Sequence, residues 1–214
     1  MSKRIEIVPA ILTDDPSNIL SMLNTAKSFT SLVQIDFMDG IFVPSTSIKT
    51  DLLLNHPPPI SWEAHIMVAR PETEIDNLVK AGASKVIFHY EATSNHTKII
   101  NSLHNAEVKA GIALNPETEI ELLSPLLKIL DSLLFMSVNP GFYGAPFIPA
   151  VLEKIENFKK LNCGVEIGID GGIKDSNIAT VAKSGVDYIC VGSAIFLNNN
   201  PGKSYDNLLK LVNN

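Results

Sequence analysis

Val33-Gln34-Ile35-Asp36-Phe37-Met38-Asp39-Gly40 is the stretch on which the fold turns. An apolar, β-branched run carries a carboxylate at its carboxyl end and stops at a glycine turn, the pattern of a buried strand that delivers a polar group to the edge of a sheet. Glu166-Ile167-Gly168-Ile169-Asp170-Gly171-Gly172 repeats the design late in the chain. α/β enzymes place their reactive groups at the carboxyl ends of parallel strands. Asp36 and Asp170 therefore read as a pair facing across a barrel mouth, one acid and one base.

Outward from these two runs, six more share their character. The eight expected strands are Ile5–Pro9, Leu32–Asp36, Ser61–Ile66, Lys85–His89, Val108–Ala113, Ser132–Met136, Gly164–Ile169 and Tyr188–Val191. Helices are expected over Pro16–Ser28, Glu72–Ala81, Asn95–Asn105, Ile120–Ile129, Pro149–Leu161, Ser176–Ser184 and Lys203–Val212. Lys49–His56 is a short segment ended by Pro57-Pro58-Pro59. Ala81-Gly82-Ala83 and Ser184-Gly185-Val186 read as helix C-caps, and Asp175-Ser176 as an N-cap. Eight βα units in 214 residues fit one closed (β/α)₈ TIM barrel, a single domain over residues 1–214. A doubly wound sheet is the alternative, but Val8-Pro9-Ala10-Ile11-Leu12 lacks the glycine-rich turn it needs after the first strand.

Composition narrows the partners. Apolar residues make up 45% and charged residues 19%, the balance of a globular chain with a core. A net charge of −6 argues against nucleic acid or an anionic membrane as partner. An acidic protein still binds a phosphorylated metabolite through backbone N–H groups. No bilayer-length apolar run and no signal peptide are visible, so the expected location is cytoplasmic. Cys163 and Cys190 have no zinc-finger spacing, and Cys190 reads as a buried strand thiol.

In a barrel, chemistry collects in the loops after the strands. Asn139-Pro140-Gly141-Phe142-Tyr143-Gly144, Gly171-Gly172-Ile173 and Gly192-Ser193-Ala194 follow the last three strands, where backbone amides can cradle a phosphate. Any one of them alone reads as a tight turn; three adjacent ones favour a phosphate site. His65 alone reads as structural, but beside Asp36 and Asp170 it completes a candidate site for zinc or another divalent ion, which would polarise a substrate carbonyl and hold an enediolate. Asp39 is expected to cap its turn, and His89 and Glu91 are equally able to line the site or not. His56, His96 and His104 read as solvated. Met38, Met67 and Met136 fall at strand ends, either as core filler or as an apolar floor under the reacting carbon.

Val8-Pro9-Ala10-Ile11-Leu12, Ile35-Asp36-Phe37-Met38-Asp39-Gly40, Ala64-His65-Ile66-Met67, Leu114-Asn115-Pro116-Glu117-Thr118, Met136-Ser137-Val138-Asn139-Pro140-Gly141-Phe142, Asp170-Gly171-Gly172-Ile173 and Val191-Gly192-Ser193-Ala194-Ile195-Phe196 together resemble the ribulose-phosphate 3-epimerases, in order and nearly end to end. The resemblance implies inversion at C3 between D-ribulose 5-phosphate and D-xylulose 5-phosphate, with Asp36 and Asp170 as the acid/base pair. It implies a divalent metal ion (Zn, Mn, Fe or Co) on Asp36, His65 and Asp170, and a phosphate held by Gly141 to Gly144, Gly171-Gly172 and Gly192-Ser193. It also suggests a homo-oligomer. The chain departs from the family pattern in four places, one of them a loop. Gln34 stands where the family has a second metal-binding histidine, so its neutral amide is at best a weak fourth ligand. Ala10 replaces the usual serine, Ile41 a common histidine, and Gly141-Phe142-Tyr143-Gly144-Ala145 the usual Gly-Phe-Gly-Gly-Gln. These departures leave room for an epimerase of another ketose phosphate working with weak metal or none. A non-catalytic sugar-phosphate-binding barrel is the reading from a different class.

Overall fold

β1 (Glu6–Ile11), β2 (Leu32–Met38), β3 (Ser61–Met67), β4 (Lys85–His89), β5 (Lys109–Leu114), β6 (Ser132–Met136), β7 (Glu166–Asp170) and β8 (Tyr188–Val191) run parallel and in sequential order, and β8 pairs back onto β1 to close a barrel. The computed structural model describes residues 4–141 and 145–213. The α-helices are α1 (Pro16–Ala26), α2 (Leu52–Asn55), α3 (Ile75–Lys80), α4 (His96–Asn105), α5 (Ala150–Lys159), α6 (Ile178–Lys183), α7 (Ser193–Phe196) and α8 (Pro201–Asn213). The expected (β/α)₈ architecture is the observed one. Among the described residues no helix is long and apolar enough to cross a membrane.

Strand periodicity sorts the core into two shells, because alternate side chains point to opposite faces. Ile7, Val33, Ile35, Phe37, Val86 and Ile112 face outward and form one continuous layer with the helices. Val8, Ala10, Ile87, Ala113, Leu134, Met136, Tyr188 and Cys190 form a separate cluster that fills the barrel. Tyr188 lies in the space left by Gly168, where an added Cβ would run into the phenol ring. Its hydroxyl shares a hydrogen bond of 2.9 Å with Ser132. The Lys85 ammonium sits 4.3 Å from the ring centroid and pairs with Glu63 at 2.9 Å and Glu166 at 3.1 Å. A tightly packed charged floor thus closes one end of the barrel, and the polar site occupies the other.

Several helix boundaries differ from expectation, each for a local reason. The helix expected over Ile120–Ile129 is a 3₁₀ turn over Ile120–Leu123 followed by turns, because Pro125 supplies no N–H to continue the helical hydrogen-bond ladder. Glu72–Ala81 divides into a 3₁₀ turn at Pro71–Thr73 and α3. The N-cap position of α6 is Asn177 instead of Asp175-Ser176: Asn177 Oδ1 accepts from the Lys174 N–H at 2.8 Å, while Asp175 accepts from Asn207 on α8 at 3.0 Å. The expected caps at Gly82 and Gly185 are present, with φ of 84° and 95°. Asp39 caps its turn as expected, accepting from the Ile41 and Phe42 amides at 2.8 and 2.9 Å and from Ala69 at 2.7 Å. His96 is not simply solvated: its ring stacks on Tyr90 at 4.3 Å and bonds the Tyr90 carbonyl at 2.8 Å. His104 pairs with Asp131 at 2.8 Å. Cys190 is buried and Cys163 exposed.

Candidate active site

The polar end of the barrel is built from strand phase. On β2, Gln34, Asp36 and Met38 alternate with Ile35 and Phe37, so a strand whose outward face is locked in the core must send these three inward. Register then sets their neighbours: Asp36 is level with His65 on β3, Ala10 on β1 with Gln34, and Asp170 on β7 with Cys190 on β8. Closure of the barrel brings β7 and β2 within reach of each other across β8 and β1.

A cavity with about 610 Å³ of empty space, counting its open mouth, lies over this ring. Asp36, His65 and Asp170 line it, with Met38, Met67 and Met136 around them. Gly141, Gly171, Gly172, Gly192 and Ser193 line the same cavity, so residues named from three separate loops converge on one place. Phe142, Tyr143 and Gly144 lie outside the described residues. Gly171 has φ of 112° and an added Cβ would meet Val138 at 2.5 Å, so both conformation and space demand glycine there.

The charged centre is tightly wired. His65 Nδ1 is 3.1 Å from Asp36 Oδ1 and 3.6 Å from Asp170 Oδ2. Gln34 Nε2 donates to the same two oxygens, at 2.9 Å to Asp36 and 2.8 Å to Asp170. The Gln34 carbonyl oxygen accepts the Cys190 thiol at 3.1 Å. Burial and the adjacent Asp36 charge push the Asp170 carboxyl up to about 7, against the opposing pull of His65 and the Gln34 hydrogen bond. Burial pulls the His65 imidazole down, but its hydrogen bond to Asp36 and the charges of both aspartates outweigh that and raise it. Burial pushes the Cys190 thiol up, so the sulfur keeps its proton and remains a donor.

Behind His65 stands a residue that sequence reasoning left open. His65 Nε2 meets His89 Nε2 at 3.0 Å, and His89 Nδ1 faces Glu91 Oε2 at 3.5 Å. Burial holds His89 down to about 4, so it is neutral at physiological pH and carries one ring proton. Glu91 in turn accepts from the Asn115 amide at 2.9 Å and the Thr118 hydroxyl at 2.5 Å. The Lys154 ammonium clasps that loop, donating to the carbonyls of Pro116 and Thr118. Periodicity was a usable signal for His89, which ends β4 on the inward face; the roles of Cys190 and Lys154 had none, since each depends on a partner from a distant element.

Asp36, His65 and Asp170 can hold a divalent ion. Their ligand atoms all lie within 4.8 Å of one another. Bonds of about 2.0–2.2 Å to zinc bring neighbouring ligands to roughly 3–4 Å apart, a small contraction of this arrangement. One imidazole and two carboxylates is a donor set suited to zinc and similar ions. The other ring nitrogen of His65 is held by His89, whose own ring faces the Glu91 carboxylate.

Comparison with known proteins follows the same line. A family model described as the ribulose-phosphate 3 epimerase family matches residues 6–196. The ribulose-phosphate 3-epimerase of Schizosaccharomyces pombe is 34% identical over 202 residues, covering 92% of this chain and 89% of that protein. The Mycobacterium tuberculosis protein of the same name is 35% identical over 201 residues, covering 91% and 87%. Among solved structures, KGPDC of Streptococcus mutans superposes with a TM-score of 0.77 at 12% identity, covering 97% of each chain. The 3-hexulose-6-phosphate synthase of Salmonella typhimurium gives 0.75 at 15% identity, covering 97% of this chain and 98% of that one. At such identities these two structures speak for the fold alone.

Proposed function

The chain belongs to the ribulose-phosphate 3-epimerase family, and from that premise we propose that it interconverts D-ribulose 5-phosphate and D-xylulose 5-phosphate by inverting C3. Epimerisation of a sugar phosphate is the activity the family carries; the particular ketose and the residue roles are our inference. The observation that supports it most is the pair of carboxylates, Asp36 and Asp170, brought to one cavity from β2 and β7.

The chemistry required is modest and specific. A proton α to a carbonyl leaves from one face and returns on the other, so two groups must alternate as base and acid across the reacting carbon. Burial and the neighbouring Asp36 charge keep Asp170 from ionising freely near neutral pH, so it can carry a proton to deliver. In our reading Asp36 takes the C3 proton and Asp170 delivers one to the opposite face, with roles exchanged in the reverse direction. His65 holds Asp36 by its Nδ1 contact, and His89 holds His65 from behind. Met38, Met67 and Met136 supply an apolar surround that keeps water from the carbanion-like centre. The phosphate is assigned to the glycine turns at Gly141, Gly171-Gly172 and Gly192-Ser193, with Phe142, Tyr143 and Gly144 carried over from the sequence reading. A divalent ion on Asp36, His65 and Asp170 would supply positive charge that polarises the carbonyl and offsets the developing oxyanion.

The test is proton NMR of D-ribulose 5-phosphate in D₂O, using protein stripped with chelator and then resupplied with zinc or manganese. Deuterium at C3 together with xylulose 5-phosphate is the expected result. Asp36→Asn and Asp170→Asn each lower turnover by about 10²–10⁴-fold. No exchange with or without metal overturns the assignment. A second reading, a different ketose phosphate, is favoured by Ala10, which brings a methyl and no hydroxyl to the cavity. Matched kinetics on several ketose phosphates separate the two. The same reading includes a cytosolic homo-oligomer, checked by fractionation and light scattering.

A further inference from the structure

Gln34 is fully buried and its amide is engaged at every point. One Nε2 hydrogen reaches Asp36 Oδ1 at 2.9 Å and the other Asp170 Oδ2 at 2.8 Å, while Oε1 receives the Cys190 thiol at 3.1 Å. The two carboxylate oxygens it bridges also face His65 Nδ1, at 3.1 and 3.6 Å. A cation held by Asp36, His65 and Asp170 would compete with the amide for these two carboxylates.

An amide nitrogen has no lone pair to give a metal, so Gln34 ligates only through its oxygen. That oxygen points away from the carboxylates, toward Cys190. Turning the amide end for end would aim Oε1 at two carboxylates, a repulsive arrangement unless a cation lies between them. It would also press the NH₂ group against a sulfur that accepts hydrogen bonds poorly. Both ends of the amide therefore favour the observed orientation.

We propose that Gln34, latched by the Cys190 thiol, is an amide gate on the metal centre: it bridges Asp36 and Asp170 in the manner of a cation, and a divalent ion binds only by turning the amide and releasing the latch. The gate lowers metal affinity without removing any of the three ligands. It deepens the reading of the site given above but rests only on the cluster of Asp36, His65 and Asp170, not on the sugar phosphate.

The measurement is zinc and manganese affinity of the full chain without substrate, by chelator-competition calorimetry with metal content checked after dialysis. Cys190→Ala removes the latch and raises affinity several-fold. Cys190→Ser keeps a hydroxyl donor and stays within about twofold of the parent. Gln34→His exchanges the gate for an imidazole ligand and raises affinity by about tenfold or more. A second readout needs no variant at position 190. In ¹⁵N-labelled, chelator-stripped protein both side-chain amide protons of Gln34 exchange slowly and lie downfield, and saturating zinc shifts both. Weaker binding in Cys190→Ala would make the sulfur itself a ligand and overturn the gate. Equal binding across the Cys190 variants, or a Gln34 amide signal indifferent to zinc, overturns it as well. Because no sugar is present, failure of epimerase turnover leaves the result intact, and failure here leaves the epimerase assignment standing.

Discussion

Asp170 concentrates the tension of the site in one side chain. Its carboxyl is held up to about 7 by burial and by Asp36, whereas in an unfolded chain it would ionise near 3.8. The folded state thus binds the proton more tightly than the unfolded state does. The stability this contributes is complete below about pH 3.8, declines as the pH rises toward 7, and is gone above it. In chelator-stripped protein, Asp170→Asn removes the titration. Its stability relative to the parent should therefore grow between pH 4 and pH 8, by on the order of 2–4 kcal/mol in urea unfolding. A gap that stays constant over that range would show that Asp170 ionises normally. His89 offers a second check at this scale. His89→Ala leaves the His65 Nε2 side without its 3.0 Å partner, and zinc affinity by calorimetry should fall roughly 10–100-fold. Unchanged affinity would mean that packing alone orients His65.

At the scale of elements, legibility followed the strength of the local pattern. Leu32–Met38 announces itself because Val33, Ile35 and Phe37 alternate with Gln34 and Asp36, which have somewhere specific to point, and Lys85–His89 because Val86-Ile87-Phe88 is a continuous β-branched and aromatic run. The segment after β5 misleads because Ile120, Leu123, Leu126 and Leu127 carry helical spacing while Pro125 forbids the helix. The centre of the site was readable for a related reason. Asp36, His65 and Asp170 all occupy strand ends on the inward phase, which the sequence displays. The Gln34–Cys190 bond joins β2 to β8, and nothing local to either strand encodes it. The charged floor was equally hidden, since Glu63 and Lys85 look like ordinary surface positions until register makes them partners. Burial raises the Glu63 carboxyl and Lys85 draws it back. Lys85→Met should then cost about 3–5 kcal/mol in urea unfolding by stranding the buried carboxylate, and the double variant Lys85→Met/Glu63→Met should recover much of that loss. A single variant within about 0.5 kcal/mol of the parent would mean that Glu63 takes up a proton at little cost.

The whole molecule divides its polar burial between two ends, and the two ends differ in kind. At the floor, Lys85 pairs within the chain with the buried Glu63 and with Glu166, which also reaches solvent, and Tyr188 with Gly168 packs the space around them. At the mouth, two carboxylates converge on the neutral Gln34 amide and a single imidazole, so the charge is balanced incompletely by protein groups. A structure built this way gains stability from any cation that settles at the mouth, since such a ligand binds the folded state and finds no assembled site in the unfolded one. With zinc or manganese at about 100 times its dissociation constant the gain is about 2.7 kcal/mol. For a chain of 214 residues that corresponds to roughly 5–11 °C in Tm. The increment should vanish in Asp36→Asn/Asp170→Asn, where both anionic ligands are gone, and persist in variants of the floor. Differential scanning fluorimetry across a metal series reads this directly. A Tm indifferent to every divalent ion tried would mean that the amide bridge and the Asp170 proton already balance the mouth, making the two ends of the barrel alike in kind after all.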